Sequence, residues 1–131
     1  MTDEPRRVKI RISGEFDARL TEIERYLNRV ERPESFRQLV KAIREKVAPM
    51  LKRFPAIGRR VFNTKPDTVD ALLAMEELMG MARNNGDTLR EYLFDDYVLL
   101  YWLSEDAITF LSIRHTREVS FEFHDLWGGE P

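Results

Sequence analysis

Tyr97-Val98-Leu99-Leu100-Tyr101-Trp102-Leu103 is apolar at consecutive positions, not alternate ones. A run of that length and aromatic content, apolar on both faces, reads as a central strand. Leu89–Phe94 stands before it and Ala107–His115 after it, both rich in strand-forming residues. The links are Asp95-Asp96 and Ser104-Glu105-Asp106, short and polar, so the three runs read as antiparallel hairpins with Tyr97–Leu103 in the centre. Val119–Phe123 fits one further short strand before the Leu126-Trp127-Gly128-Gly129 tail.

Upstream the period changes. Val8-Lys9-Ile10-Arg11-Ile12 alternates apolar and basic residues, as a half-buried strand does, and Ser13-Gly14 breaks it. Phe16, Leu20, Ile23, Leu27 and Val30 then recur at spacings of four and three, which places all five on one helical stripe. Glu31-Arg32-Pro33-Glu34 is the turn, and Ser35-Phe36-Arg37-Gln38 fits a capping box at the start of a second helix. Phe36, Leu39, Val40, Ile43, Val47, Met50, Leu51 and Phe54 carry its apolar stripe, with a kink expected near Val47–Met50 because Pro49 has no backbone N–H to donate. The short link makes the two helices an antiparallel hairpin. Phe54-Pro55-Ala56-Ile57-Gly58-Arg59-Arg60 ends the second helix in a tight turn. A third, connecting helix is expected from about Val69 to Arg83, capped by Asp67 or Thr68 and stopped by Asn84-Asn85-Gly86. Its apolar arc is wide enough to pack on two surfaces or to meet a partner. The reading is an α+β fold, a helical hairpin plus a connecting helix on a small antiparallel sheet, with the helices on one side.

The chain has 131 residues, enough for a single domain spanning 1–131. It has no cysteine, which removes disulfides and thiolate metal sites. No apolar stretch follows the charged N-terminus and no run approaches a membrane span, so a cytoplasmic protein without membrane partners is expected. The net charge of −2 conceals an uneven distribution. Met1–Arg60 carries 16 Lys/Arg against 9 Asp/Glu, whereas Val61–Pro131 carries 5 against 14. A basic half suits nucleic acid or an acidic partner; equally, Lys and Arg can simply coat the solvent side of two helices.

Two histidines, His115 and His124, are too few for a convincing metal centre, and no phosphate loop, dinucleotide fingerprint or nucleophile elbow occurs, so no metal or cofactor is expected. What remains is a polar cluster at the ends of the meander: Arg90, Glu91, Tyr92, Arg114, His115 and Arg117. Cleaving RNA through its own 2′-hydroxyl needs a base, an acid and cationic stabilisation of phosphate. His115, Glu91 and the arginines supply those groups if they converge. Strand alternation sets the opposite expectation for one pair, since the neighbours Arg114 and His115 face opposite sides of a sheet. The alternative is that His115 ends a strand and the arginines pair with the acidic half.

Arg90-Glu91-Tyr92-Leu93-Phe94-Asp95-Asp96-Tyr97-Val98-Leu99-Leu100-Tyr101, followed by Ile108-Thr109-Phe110-Leu111-Ser112-Ile113-Arg114-His115-Thr116-Arg117-Glu118, resembles the RelE/ParE toxin superfamily, and more closely ParE-like plasmid-stabilisation proteins. Phe54-Pro55-Ala56-Ile57-Gly58-Arg59 matches a second element seen there, and the resemblance runs from about Val8 to Phe123. It implies the toxin of a type II toxin–antitoxin system, neutralised by a cognate antitoxin that wraps the helices and sheet. RelE-type members cleave messenger RNA on the ribosome, and ParE-type members bind DNA gyrase without catalysing a reaction. Arg90 and the Arg114–Arg117 group fall at the family's end-of-meander positions, but the full basic and acidic set of a RelE-type ribonuclease is missing. The resemblance therefore implies a ParE-like toxin, with a RelE-like ribonuclease or an inactive binding module of the same fold as alternatives.

Overall fold

The computed structural model describes residues 8–61 and 69–116. Strand β1 (Lys9–Ile12) leads into helix α1 (Gly14–Arg29), whose first turn is capped by Ser13: its Oγ accepts from the Phe16 N–H at 3.1 Å and donates to the Leu111 carbonyl at 3.2 Å. One hydroxyl thus ties a helix start to a strand far along the chain. The helix ends in a Schellman turn, with Glu31 in the left-handed region (φ 61°) and the Arg32 N–H returning to the Leu27 carbonyl at 2.7 Å. Helix α2 (Pro33–Ala42) begins two residues before the expected capping box. Arg32 is its N-cap and makes no side-chain cap; Pro33, with its φ preset and no N–H to satisfy, opens the helix, so Ser35 lies inside the first turn.

The helix then widens into a π turn (Ile43–Val47) and continues as α3 (Ala48–Arg53). The Ala48 N–H reaches back five residues to the Ile43 carbonyl. The irregularity expected at Val47–Met50 therefore lies one turn earlier, where a wider turn lets the rod pass Pro49 unbroken. Phe54–Arg60 contains a turn, as read, and also a short strand, β2 (Arg59–Arg60). Helix α4 (Val69–Asn84), β3 (Thr88–Phe94), β4 (Tyr97–Leu103) and β5 (Ala107–His115) follow. The caps expected for α4 and the strand expected at Val119–Phe123 lie outside the described residues.

The five strands form one mixed sheet in the order β1-β5-β4-β3-β2. The meander β3-β4-β5 is antiparallel with β4 central, as expected. The difference is at the edge: β1 runs parallel to β5, with Lys9 opposite Ala107 and Ile12 opposite Phe110. Leu99, Tyr101, Ile108, Phe110 and Ile113 face the hairpin and pack on Phe16, Ile23, Leu27, Leu39, Val47 and Leu51. Leu89, Leu100, Trp102 and Leu111 face the other way and pack with Val61 and with Met75, Leu78 and Met79 of α4. The helices thus sit on both faces, not on one. The reason is β4 itself, which has apolar side chains to cover on each side.

The loop after α3 is held by two side chains from the sheet. The buried Tyr101 hydroxyl donates to the Pro55 carbonyl at 2.7 Å and accepts from the Gly58 N–H at 3.0 Å. Arg90 Nη1 donates to the Ala56 and Gly58 carbonyls at 3.2 and 2.6 Å. Only glycine fits at 58, because a Cβ there would stand 2.6 Å from the Tyr101 oxygen and 2.7 Å from the Glu91 carbonyl oxygen. Gly58→Ala should cost about 1–3 kcal/mol through overpacking. Tyr101→Phe should cost a similar 1–3 kcal/mol through the two backbone groups left unpaired. Because Tyr101→Phe removes one of the clashing atoms, the double variant should lose less than the sum of the two in urea denaturation.

Burial pushes the Tyr101 hydroxyl above its ordinary value of 10.0, while the Gly58 hydrogen bond and the Arg90 charge pull the other way. The folded state therefore favours the neutral phenol. The resulting stability is intact below about pH 10 and is lost as the pH climbs through the raised value. In denaturation curves at rising alkaline pH, the gap between the parent and Tyr101→Phe should narrow.

Candidate functional site

Five of the six residues singled out at the ends of the meander lie among the described residues; Arg117 does not. The sheet distributes them over two faces. Arg90 and Tyr92 alternate on β3 with Glu91, so the first two share the hairpin face and Glu91 takes the other. On β5 the register shifts: Tyr101 pairs with Phe110, but Leu100 pairs with Ser112, leaving Leu111 as the extra residue of a bulge. Beyond it, Ile113 opposes Leu99, Arg114 opposes Val98 and His115 opposes Tyr97. His115 therefore lies on the hairpin face and Arg114 on the other. Without the bulge the two would be exchanged.

On the hairpin face, rings run in a row across the turn end of the meander. Tyr92 stacks on Phe94 at 6.3 Å, Phe94 meets Tyr97 at 6.0 Å, and His115 stands edge-on to Tyr97 at 5.3 Å. Arg90 shares this face, but its guanidinium is committed to the loop carbonyls and, through Nε, to Thr88 Oγ1 at 3.1 Å. Engaged through Nε and Nη1, the fork positions a loop.

On the opposite face, and among the described residues, Glu91 is the buried charge, 5% exposed. Its carboxylate lies 3.3 Å from Arg59 Nε and 3.8 Å from Arg114 Nη2. Arg59 entered the sequence reading only as a turn residue; β2 brings it opposite Glu91. Burying a carboxylate demands compensation, and two guanidiniums supply it. His115 and Glu91, the proton-transferring pair of the sequence reading, are thus separated by the sheet. Among the described residues no group of three or more His, Asp or Glu can hold a metal ion.

The geometry also ranks the ion pairs. Glu91→Gln should lower stability by about 1–3 kcal/mol, because the half-buried Arg114 loses its counter-charge. Arg59→Ala should cost about 0–1 kcal/mol, because the Arg59 side chain is 66% exposed and screened. Urea denaturation of both variants measures the order.

No helix among the described residues is long and apolar enough to cross a membrane. No curated protein matches the chain. A family model does: that of the ParE toxin of the type II toxin–antitoxin system parDE, over residues 10–120. That span takes in the hairpin, the Tyr101-held loop and the whole meander, so the chain belongs to the ParE toxin family of type II toxin–antitoxin systems.

Proposed function

We propose that this toxin arrests growth by binding an essential target, with DNA gyrase first in line, and that it does so without cleaving RNA. The observation that carries the reading is the division of the polar cluster between two faces. A phosphate that reached His115 beside Tyr97 would have the sheet between it and Glu91 and Arg114. Arg90 is engaged with backbone carbonyls on the hairpin side. Metal-independent RNA cleavage requires base, acid and cation around one phosphate.

The cognate antitoxin that the family implies silences the toxin, on this reading, by covering the basic hairpin. Arg25, Arg29, Arg32, Arg37, Lys41 and Arg44 are all exposed there. An acidic antitoxin segment would meet them by charge, which speeds encounter and favours the correct partner.

Induction of the toxin without antitoxin should halt DNA synthesis before protein synthesis, and the purified protein should inhibit gyrase supercoiling at stoichiometric ratio. His115→Gln should leave the arrest intact. Arrest that begins with translation, with messenger RNA cut in a His115-dependent manner, would instead establish the RelE-like ribonuclease. Normal growth would leave a binding module of the same fold.

A further inference from the structure

The connection between β2 and β3 is longer than the sheet requires. The two strands are antiparallel neighbours, a pairing that about two to five residues can close. Here the chain runs from Val61 to Asp87 and includes the 16-residue α4. Its inner side seats Met75, Leu78, Met79 and the buried Ala82 toward the sheet. The outer side is apolar as well. Val69 is 70% exposed and Leu73 58%. At about 100° per residue these two and Gly80 fall within about 40° of one another, with Met81 further round. Among the described residues a Cβ at Gly80 would meet nothing within 4 Å, so packing between them gives no reason for glycine inside this helix. Asp70, Glu76 and Glu77 border the stripe and are exposed.

A second surface has the complementary character. Arg53, Phe54, Pro55, Ala56 and Ile57 line an open depression of about 570 Å³ at the end of α3. Phe54 is 50% exposed and Ile57 47%. Its basic member is Arg53, which is exposed and whose guanidinium lies 5.6 Å from the centre of the Phe54 ring; Lys52, next to it in the chain, is exposed too.

We propose that the outer face of α4 docks in the Phe54–Ile57 depression of a second copy of this chain. Both surfaces are apolar, one is bordered by carboxylates and the other is lined by the exposed Arg53 guanidinium, and a helix face laid into a groove is a common mode of recognition. A contact between two α4 helices about a twofold axis is disfavoured, because antiparallel pairing at mid-helix brings Glu76 and Glu77 of both copies together. Reciprocal docking closes a dimer, and docking in one direction builds a chain of copies. The bare Gly80 backbone lets the partner approach closely. The inference concerns self-association and does not depend on the cellular target.

Sedimentation velocity over a concentration series tests it with three proteins: the parent, a Glu76→Lys/Glu77→Lys variant and an Arg53→Glu variant. All three substituted positions are exposed, and circular dichroism with Tm checks that each variant is folded. The parent should self-associate as concentration rises, and each variant alone should bind itself at least about tenfold more weakly. An equimolar mixture of the two variants should recover the association, because the Lys-bearing helix then meets the Glu-bearing groove. A parent that remains monomeric to about millimolar concentration overturns the proposal. So does an Arg53→Glu variant that associates like the parent, which would place helix against helix, or a mixture that stays monomeric.

Discussion

Strand β4 is hydrogen-bonded along both edges and covered on both faces, and the positions of the other elements follow from that double burial. Leu99 and Tyr101 require the helical hairpin, while Leu100 and Trp102 require a second cover, which α4 provides. The indole N–H of Trp102 donates to Asp87 at 2.8 Å, just past the end of α4, so the same strand also fixes where that helix hands the chain back to the sheet. A strand with only one apolar face would need no α4, and the chain between β2 and β3 would have little to bury.

Tyr101 connects this core to the loop that follows the hairpin. Its ring is wholly buried, yet its hydroxyl reaches the Pro55 carbonyl and the Gly58 N–H, satisfying backbone groups that a tight turn would otherwise bury unpaired. Arg90 takes two more carbonyls of the same loop. The Phe54–Arg59 motif and the Arg90–Tyr101 motif, far apart in sequence, are therefore two halves of one contact. That contact gives a structural reason for both to appear in one chain.

Much of this was legible in the sequence because periodicity records burial. The stripe from Phe16 to Leu27, the two-sided run Tyr97–Leu103 and the short polar links define α1, β4 and the meander directly. Two local rules competed at the start of α2, and the backbone preference of Pro33 prevailed over the Ser35 capping box. The parallel pairing of β1 with β5 and the strand character of Arg59–Arg60 depend on partners distant in sequence, which no local pattern encodes. The same holds for the pairing of Arg59 with Glu91, since register, not spacing, brings them together.

The candidate residues depend on one inserted position. Two-residue alternation puts Arg114 and His115 on opposite faces but does not say which takes which. The bulge at Leu111 decides it, turning His115 toward Tyr97 and Arg114 toward Glu91. Its trace in the sequence is the adjacent apolar pair Phe110-Leu111 followed by Ile113, where strict alternation would place a polar residue at 111 or an apolar one at 112. Phe110 and Ile113 both enter the hairpin core while Leu111 covers the α4 side, so the core fixes the bulge from both faces. Moving His115 to the side of Glu91 would require removing that residue, which would take Leu111 out of one apolar cluster or shift Ile113 out of the other. The apolar packing that stabilises the sheet is thus also what keeps the imidazole and the carboxylate apart.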